Sequence, residues 1–597
     1  MTKSWRLPSL DYTSRDYQAI RNDAVERISA FIEEWTDHSP SDPGIVILQL
    51  FAGMHDVLHF YADRGVKENL ITDVLGRRNM IALAALVGQR LLGKAPAVAN
   101  MTFDIPAQPT DTSIPTGTLL TTQGVTPAVY FETRQDVTIL AGDTRVEDVL
   151  AAAGRTFSGT IGTSNGQEWQ SFLVADTDDV LDEGITVTVD GVPWTYIASL
   201  GLAEPNGTNW TYTRDERGRV YVCFGNGTAD SGYGLIPDNL AVIEAAWRQG
   251  GGRFSSVPKN TIRTVVSTIM SGGIPISVSC TNPNPAEGGD EEEDIEVARR
   301  RIPRAFKAND RGVTAGDLEA LAESIPGVVQ SLALVTQPGH WTVYVAPHPT
   351  VGAGTLGGTD PFGYTVLATQ ELSQQALATV VTNALLGKKM GTDSVRAMLV
   401  RYMPVEIVTT LYLLPGARRD AVEGELATFL KSYFDVTTRE IGLTGRVQGD
   451  ANLSKWEDDV GDLEGVDYAT TTRFQLRPMV ETIQAVGTPV FSSIVTTEHT
   501  RHAYWEVLFT SPTVFVVYRQ DIGGPRILQS DLGLVGKSYV SADGEVQFSI
   551  TVPSGGTPPA SGDRFRFRVS PQLDTVRILT GEMAVGGILS YTMEGGA

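Results

Sequence analysis

The sequence predicts a multidomain α+β protein: an N-terminal helical arm, a β-rich domain, a two-layer α/β region with a duplicated helix-strand element, and a C-terminal β-sandwich-like domain. Three observations predict it. Apolar residues recur every three or four positions up to about residue 92. The texture then changes to short alternating segments broken by Gly, Asn, Asp and Pro. Beyond residue 294, helical and alternating segments interleave, before alternation alone returns near residue 483. The expected boundaries are 1–95, 96–285, 286–480 and 481–597, since 597 residues are too many for a single core.

In the first helix Tyr17, Ile20, Ala24, Ile28, Phe31 and Trp35 form one stripe, and Thr13 with Asp16 makes a capping box at its start. The connection His38 to Gly44 contains the expected hinge Ser41, Asp42, Pro43 and Gly44, where Asp42 suits an N-cap and Pro43 a first helical turn. The second helix runs through Ile45, Val46, Ile47, Leu48, Leu50 and Phe51 to Met54, Val57, Leu58, Phe60 and Tyr61. At ~100° per residue these cover well over half its circumference, more than one neighbour can bury. A third helical pattern spans about Thr72 to Leu92, and the breaker run Gly93-Lys94-Ala95-Pro96 follows as a second hinge.

Residues 101–280 carry strand patterns such as Ile185 to Val189, Trp194 to Ile197 and Val220 to Phe224, with an insertion between Gly142 and Trp210. A helix, a Gly-Val step and a strand occur twice after that: Leu318, Leu321 and Ile325 lead to Gly327-Val328, and Leu453, Trp456, Val460 and Leu463 lead to Gly465-Val466. Strands at Trp341 to Ala346 and Val405 to Leu414, and helices near Leu372 to Leu386 and Asp420 to Phe434, lie between the copies. In the tail, Arg564 to Val569 alternates strictly, which puts three arginines on one strand face and three apolar groups on the other.

A formal charge of -23, from 70 acidic against 47 basic residues, repels nucleic acid and anionic membranes. The two cysteines, Cys223 and Cys280, are not at metal spacing and read as reduced buried thiols. The N-terminus lacks the apolar core of a secretory signal, and the longest apolar run, Ile81 to Val87, falls well short of the ~20 residues of a span.

No catalytic constellation emerges, and no cofactor or metal is expected. Gly352-Ala353-Gly354-Thr355-Leu356-Gly357 has dinucleotide-fingerprint spacing, but Thr359 to Gly363 prolongs the loop where a helix should open onto pyrophosphate. His55 and His59 have zincin spacing, with Asp56 in place of the glutamate base and no evident third ligand. With Asp63 they read as a solvated or partner-facing polar flank. The run Asp290 to Glu296 lacks calcium-loop spacing and reads as a solvated linker. Neither a Gly-x-Ser-x-Gly elbow nor a Walker loop occurs.

Leu10-Asp11-Tyr12-Thr13-Ser14-Arg15-Asp16-Tyr17, Glu34 to Asp37, Ser39 to Gly44, Phe60-Tyr61 and Asp63-Arg64 together resemble the baseplate J-like family, wedge components of contractile phage tails and related injection systems. A second resembling patch, in the same order along the chain, comprises Asn282-Pro283, Ala286 to Gly289, Glu296 to Arg301 and Asp310 to Thr314. On residues alone, the N-terminal helices fit an intrachain bundle as well as an intermolecular one. The resemblance implies the latter, with Tyr17, Ile20, Ile28, Phe31, Trp35, Leu48, Phe51, Met54, Leu58 and Tyr61 forming a helical core bundle with copies of the chain and a partner. It further implies a non-enzymatic virion protein of the tail baseplate, assembled in the host cytoplasm. Its partners would be a second copy as homodimer, another wedge protein, neighbouring wedges in a six-fold ring, and hub or sheath-initiating proteins, with no nucleic acid or membrane. It would pass on the conformational change that triggers sheath contraction. The alternative is a tail-associated protein whose C-terminal β domain binds or hydrolyses host glycan, for which Tyr504, Trp505 and Tyr518 are candidate contacts.

Overall fold

The computed structural model describes residues 16–31, 35, 38–228, 231–348, 376–437, 439–442, 450–478, 480–492, 494–497, 499–522, 524–580 and 582–596. It is a mixed α+β protein of several sheets, preceded by three helices. The first helix, α1 (Tyr17–Phe31), starts at Asp16, whose carboxylate accepts from the Ala19 amide at 2.8 Å. Asp16 is thus the cap itself rather than the third position of a capping box, and Thr13 lies outside the described residues. Helix α2 (Pro43–Lys67) starts where the sequence places it, with Asp42 accepting from Gly44 and Ile45 amides and Pro43 in the first turn.

The third helix, α3 (Arg77–Leu86), is shorter than the apolar pattern over 72–92. The Glu68 carboxylate accepts from the Leu75 and Gly76 amides and from Asn79 Nδ2, which holds 68–76 in turns. The Asn79 bond, with the two amides, keeps its pKa below the usual value. Gly88, at φ +70, ends the segment.

Two sheets, of six and four strands, enclose a core of Met101, Phe103, Leu120, Phe131, Val149 and Ile262. Between them in sequence a seven-stranded sheet runs from Arg155–Thr163 to Val242–Gln249 around Trp194, Trp210 and Phe224. This segment is longer than the 142–210 insertion suggested by turn residues. Its first and last strands pair, so entry and exit coincide: a Cβ on Gly250 would fall 2.8 Å from Gly154 Cα, and both glycines have positive φ (+137 and +125). Burial pushes the Cys280 thiol up to about 12 and Cys223 up to about 11, and both are free thiols.

Helices α4 (Ile295–Ala308) and α5 (Ala315–Glu323) lead into the α/β region, followed by α6 (Ala376–Leu386), α7 (Arg419–Tyr433) and α8 (Leu453–Gly461). The duplicated element is real in its backbone. Capped helix α5, Gly327 at φ +89 and strand Gln330–Gln337 match capped helix α8, Gly465 at φ +88 and strand Val466–Leu476. Each strand edges a three-stranded sheet with one antiparallel and one parallel pairing.

The C-terminal strands from Glu481 to Val569 pack two sheets around Trp505, Phe509, Phe515, Phe548 and Phe567. Residues 582–595, placed by their texture with this β region, instead return to pair in parallel with Arg401–Leu413. In the strand Arg564–Val569 the apolar face is buried as expected, but the arginine face is not uniformly solvated: Arg568 is buried and paired with Glu582. The alternation is that of a strand, while the burial comes from Glu582 on the returning strand, over ten residues away.

The acidic run after Gly289 is also not a solvated linker. Asp290 O accepts from the Ala95 amide at 2.9 Å, Glu293 N donates to Leu92 O at 3.0 Å, and Leu92 N donates to Glu293 Oε2 at 2.9 Å. Arg301 Nε and Nη2 donate to the two oxygens of buried Glu293 at 2.6 and 2.9 Å, Arg77 pairs with Glu292, and Arg253 Nε reaches Asp290 at 3.1 Å. Arg77 and Arg253, both distant in sequence, and Arg301, eight residues beyond Glu293 on α4, neutralise the run. The expected second hinge is clamped by the same contacts. Gly93 N donates to Asp182 at 2.8 Å, and a Cβ there would strike Arg214.

Glu293→Ala would strand the Arg301 charge in the interior. We expect a loss of roughly 3–5 kcal/mol in chemical denaturation, with faster amide exchange over 90–95. Glu287, paired through its backbone with Val98, retains some surface as a residue, yet desolvation pushes its carboxyl up to about 8. A carboxyl with a raised folded pKa stabilises most below its unfolded value of 4.5, and that contribution is lost as pH rises through about 8. Glu287→Gln should therefore raise stability above about pH 8 and change it little near about pH 4, measured by melting across that range.

Candidate assembly surface

The second helix sits on α1 with the less apolar of its sides. Besides Gly44, Gly53 and Lys67, its buried and half-buried positions are Ile45, Leu48, Gln49, Ala52, Asp56, His59 and Asp63, which share one side, and α1 is the element packed along it. On α1, Tyr17, Ile20, Ala24 and Ile28 are half-buried. The side turned to solvent carries ten large apolar residues: Val46, Ile47, Leu50, Phe51, Met54, Val57, Leu58, Phe60, Tyr61 and Val66. Leu50, Met54 and Tyr61 are 66%, 65% and 63% exposed, and Phe31 at the end of α1 is 84% exposed. An amphipathic helix packing only within its own chain would be turned the other way.

The residues expected in a core bundle therefore divide. Tyr17, Ile20, Ile28 and Leu48 lie in the α1–α2 seam, whereas Phe31, Phe51, Met54, Leu58 and Tyr61 remain uncovered. Trp35 lies beyond α1 rather than on its stripe, and its indole rests on Gly44, where a Cβ would fall 2.3 Å from Cη2. The apolar positions left out of that set are Val46, Ile47, Leu50, Val57 and Phe60. Ile47 extends the stripe of Phe51, Met54, Leu58 and Tyr61, and Val46, Leu50, Val57 and Phe60 form a second stripe beside it. Ten large apolar side chains exposed side by side make the kind of contiguous patch that marks an interaction site.

The connection before α2 is pinned rather than loose. Asp42 N donates to Ser39 O at 3.1 Å, the Ser39 and Ser41 hydroxyls are 3.1 Å apart, and Asp42 Oδ1 accepts from Gly44 N at 2.8 Å and Ile45 N at 3.1 Å. Ser41, Asp42, Pro43 and Gly44 thus form a capped corner, with the Trp35 ring against Gly44.

Of the polar flank, Asp56, His59 and Asp63 are half-buried on the α1 side, while exposed His55 turns Nδ1 to Phe51 O at 3.1 Å within its own helix. Among the described residues no group of three or more His, Cys, Asp or Glu is placed to hold a metal. The loop Gly352 to Gly357 lies outside the described residues. In the C-terminal sandwich Trp505 is core, Tyr504 Oη donates to Glu582 at 3.3 Å, and Arg526 covers the Tyr518 ring at 3.6 Å, so these three do not form an open aromatic platform. Helix α2 is also long and apolar enough, by length and composition alone, to cross a membrane. Counting uninterrupted apolar runs misses it, because single polar residues such as Gln49 and His55 punctuate an otherwise apolar 25-residue helix.

Residues 16–86, which span α1 to α3, match the model of the bacteriophage baseplate protein N-terminal domain. No curated protein sequence matches the chain significantly. Among solved structures it is similar to a chain of the anti-feeding prophage (AFP) baseplate, in a 6-fold symmetrised cryo-EM structure. The identity is 11%, over 75% of this chain and 85% of that one, with a TM-score of 0.24. It is also similar to FlgL of Xanthomonas campestris, at 18% identity over 16% of this chain and 30% of that one, TM-score 0.12.

Removing the cap with Asp42→Ala should cost about 1 kcal/mol, read as faster amide exchange at Gly44 and Ile45. Gly44→Ala should displace Trp35, read as a shift of its indole resonance with α2 still helical.

Proposed function

We propose that the chain is a structural wedge subunit in the baseplate of a contractile tail or a related injection particle, anchored there by α2. The observation that carries this reading is the orientation of α2, whose more apolar side faces solvent while Asp56, His59 and Asp63 face α1. The match of residues 16–86 to the baseplate N-terminal domain supports it. Burying a large apolar side chain yields roughly 1.5–3 kcal/mol, so ten of them comfortably outweigh the cost of association.

Two adjacent stripes call for two neighbours. One is Ile47, Phe51, Met54, Leu58 and Tyr61, at alternating spacings of four and three, which a single straight helix covers. Val46, Leu50, Val57 and Phe60 form the other. A second copy of the chain and another wedge protein are the occupants in this reading. Six such wedges close a ring around the hub, where individually modest contacts reinforce one another through effective concentration. The triggering change is an exchange between two ring arrangements, with the capped corner Ser41 to Gly44 as the joint at which α2 turns. No chemistry on a substrate is required of the chain.

The double substitution Leu50→Glu with Met54→Glu places two charges on the exposed side without touching the α1 seam. The variant should fold and melt like the parent, yet fail to enter particles, as judged by imaging intact tails that carry the labelled chain. Normal incorporation of that variant, or a parent chain located outside the baseplate, would overturn the reading.

A further inference from the structure

Below the helical arm, a cleft of about 630 Å³ opens where the 88–98 segment, the seven-stranded sheet, the six-stranded sheet and α6 meet. Its floor is aliphatic: Pro96, Val98, Leu150, Ala152, Leu377 and Val380. On its wall stands Arg90. The guanidinium lies 4.2 Å from the Tyr212 ring centre and 5.3 Å from that of Tyr196, and its Nη2 donates to Ala198 O at 2.7 Å and Thr211 Oγ1 at 3.0 Å. Its backbone is held as well, because Arg301 donates to the Arg90 carbonyl.

Among the described residues no carboxylate lies within ion-pair distance of Arg90, which sets it apart in this cleft. Lys94, Arg301, Asp182 and Glu183 all have close partners of opposite charge. Arg134, a further cleft residue, is only loosely engaged, 3.8 Å from Glu183, which itself lies nearer Arg248 at 3.3 Å. The cleft therefore presents a half-buried cation, oriented by rings and backbone and lacking a counter-charge, above an aliphatic floor. A volume of this size suits a ligand larger than a free inorganic ion. The overall charge of -23 disfavours a polyanion, while a single carboxylate can accept from the remaining donors of a positioned guanidinium.

We propose that this cleft binds a short segment of another polypeptide carrying one carboxylate flanked by aliphatic side chains. The carboxylate meets Arg90, and the aliphatic groups lie on Val98, Leu150, Leu377 and Val380. This goes beyond the assembly reading and does not depend on it, since the cleft involves none of the exposed residues of α2.

The test titrates the full chain calorimetrically with the peptide acetyl-Leu-Glu-Leu-Leu-amide, its Gln counterpart and hexanoate. The Glu peptide should bind at least about tenfold more tightly than the Gln peptide, a difference of about 1.4 kcal/mol, and weaken with added salt. Arg90→Met should abolish the preference for Glu. Val380→Trp, which fills the cleft and leaves Arg90 in place, should abolish binding without lowering the melting temperature, and it carries the test if Arg90→Met fails to fold. Equal binding of the two peptides, binding indifferent to Val380→Trp, or hexanoate binding as tightly as the Glu peptide would overturn the proposal. The Leu50→Glu, Met54→Glu variant should bind the Glu peptide unchanged, which separates this outcome from that of the assembly reading.

Discussion

The buried pair between Glu293 and Arg301 is the contact on which the rest of the arrangement depends. Two charge-assisted hydrogen bonds join them, and their spare capacity ties in the chain that leaves the helical arm: the Leu92 amide donates to Glu293, and Arg301 donates to the Arg90 carbonyl. A buried pair is weak evidence of net stability, because desolvation offsets most of the attraction. Its consequence here is geometric. The carboxylate has one satisfactory environment, so 90–95 has one seat, and α3 then packs Met80 and Ala84 on Ala298 and Ile302 of α4.

That seat gives the exposed side of α2 a meaning. A loosely tethered apolar helix would fold back on its own chain, since burial there costs no association entropy. Here α3 is already committed to α4, Asp42 and Trp35 define the corner before α2, and α1 occupies its polar side. Among the described residues the apolar side of α2 is left uncovered, and these contacts hold it turned away from α1.

Local signals in the sequence are legible, and long-range ones are not. The start of α2 is written in Asp42 and Pro43, and the repeated helix, glycine and strand in Gly327 and Gly465, because caps and positive φ depend on residues a few positions apart. The acidic run 290–293 reads as solvated, since Arg77 and Arg253 come from distant parts of the chain and the pairing of Glu293 with nearby Arg301 depends on both being buried against 90–92. Alternation places Arg568 on the arginine face of its strand but does not reveal its burial, because its counter-charge Glu582 lies on a strand that returns to a different sheet. For the assembly surface, periodicity identifies which residues of α2 are apolar but not which side α1 covers. That depends on Asp56, His59 and Asp63 being accommodated in the seam, a tertiary outcome.

The capped corner constrains how α2 can move. Turning α2 about Ser41 to Gly44 would break the two hydrogen bonds that Asp42 accepts from the Gly44 and Ile45 amides and lift the Trp35 ring from Gly44, losses that fall together because all three contacts meet at Gly44 and its neighbours. Each capping or packing contact is worth about 1 kcal/mol, so the corner resists thermal wandering yet yields to an interface exchange worth several kcal/mol. A joint with a few coupled contacts behaves as a two-position element rather than a continuous bend. In the ring proposed above, where every subunit would hold the same corner, the threshold for one subunit would be raised by its neighbours. In the proposed particle the segment 92–95, held by Asp182, Asp290 and Glu293, would pass such a rotation on to the sheets instead of absorbing it.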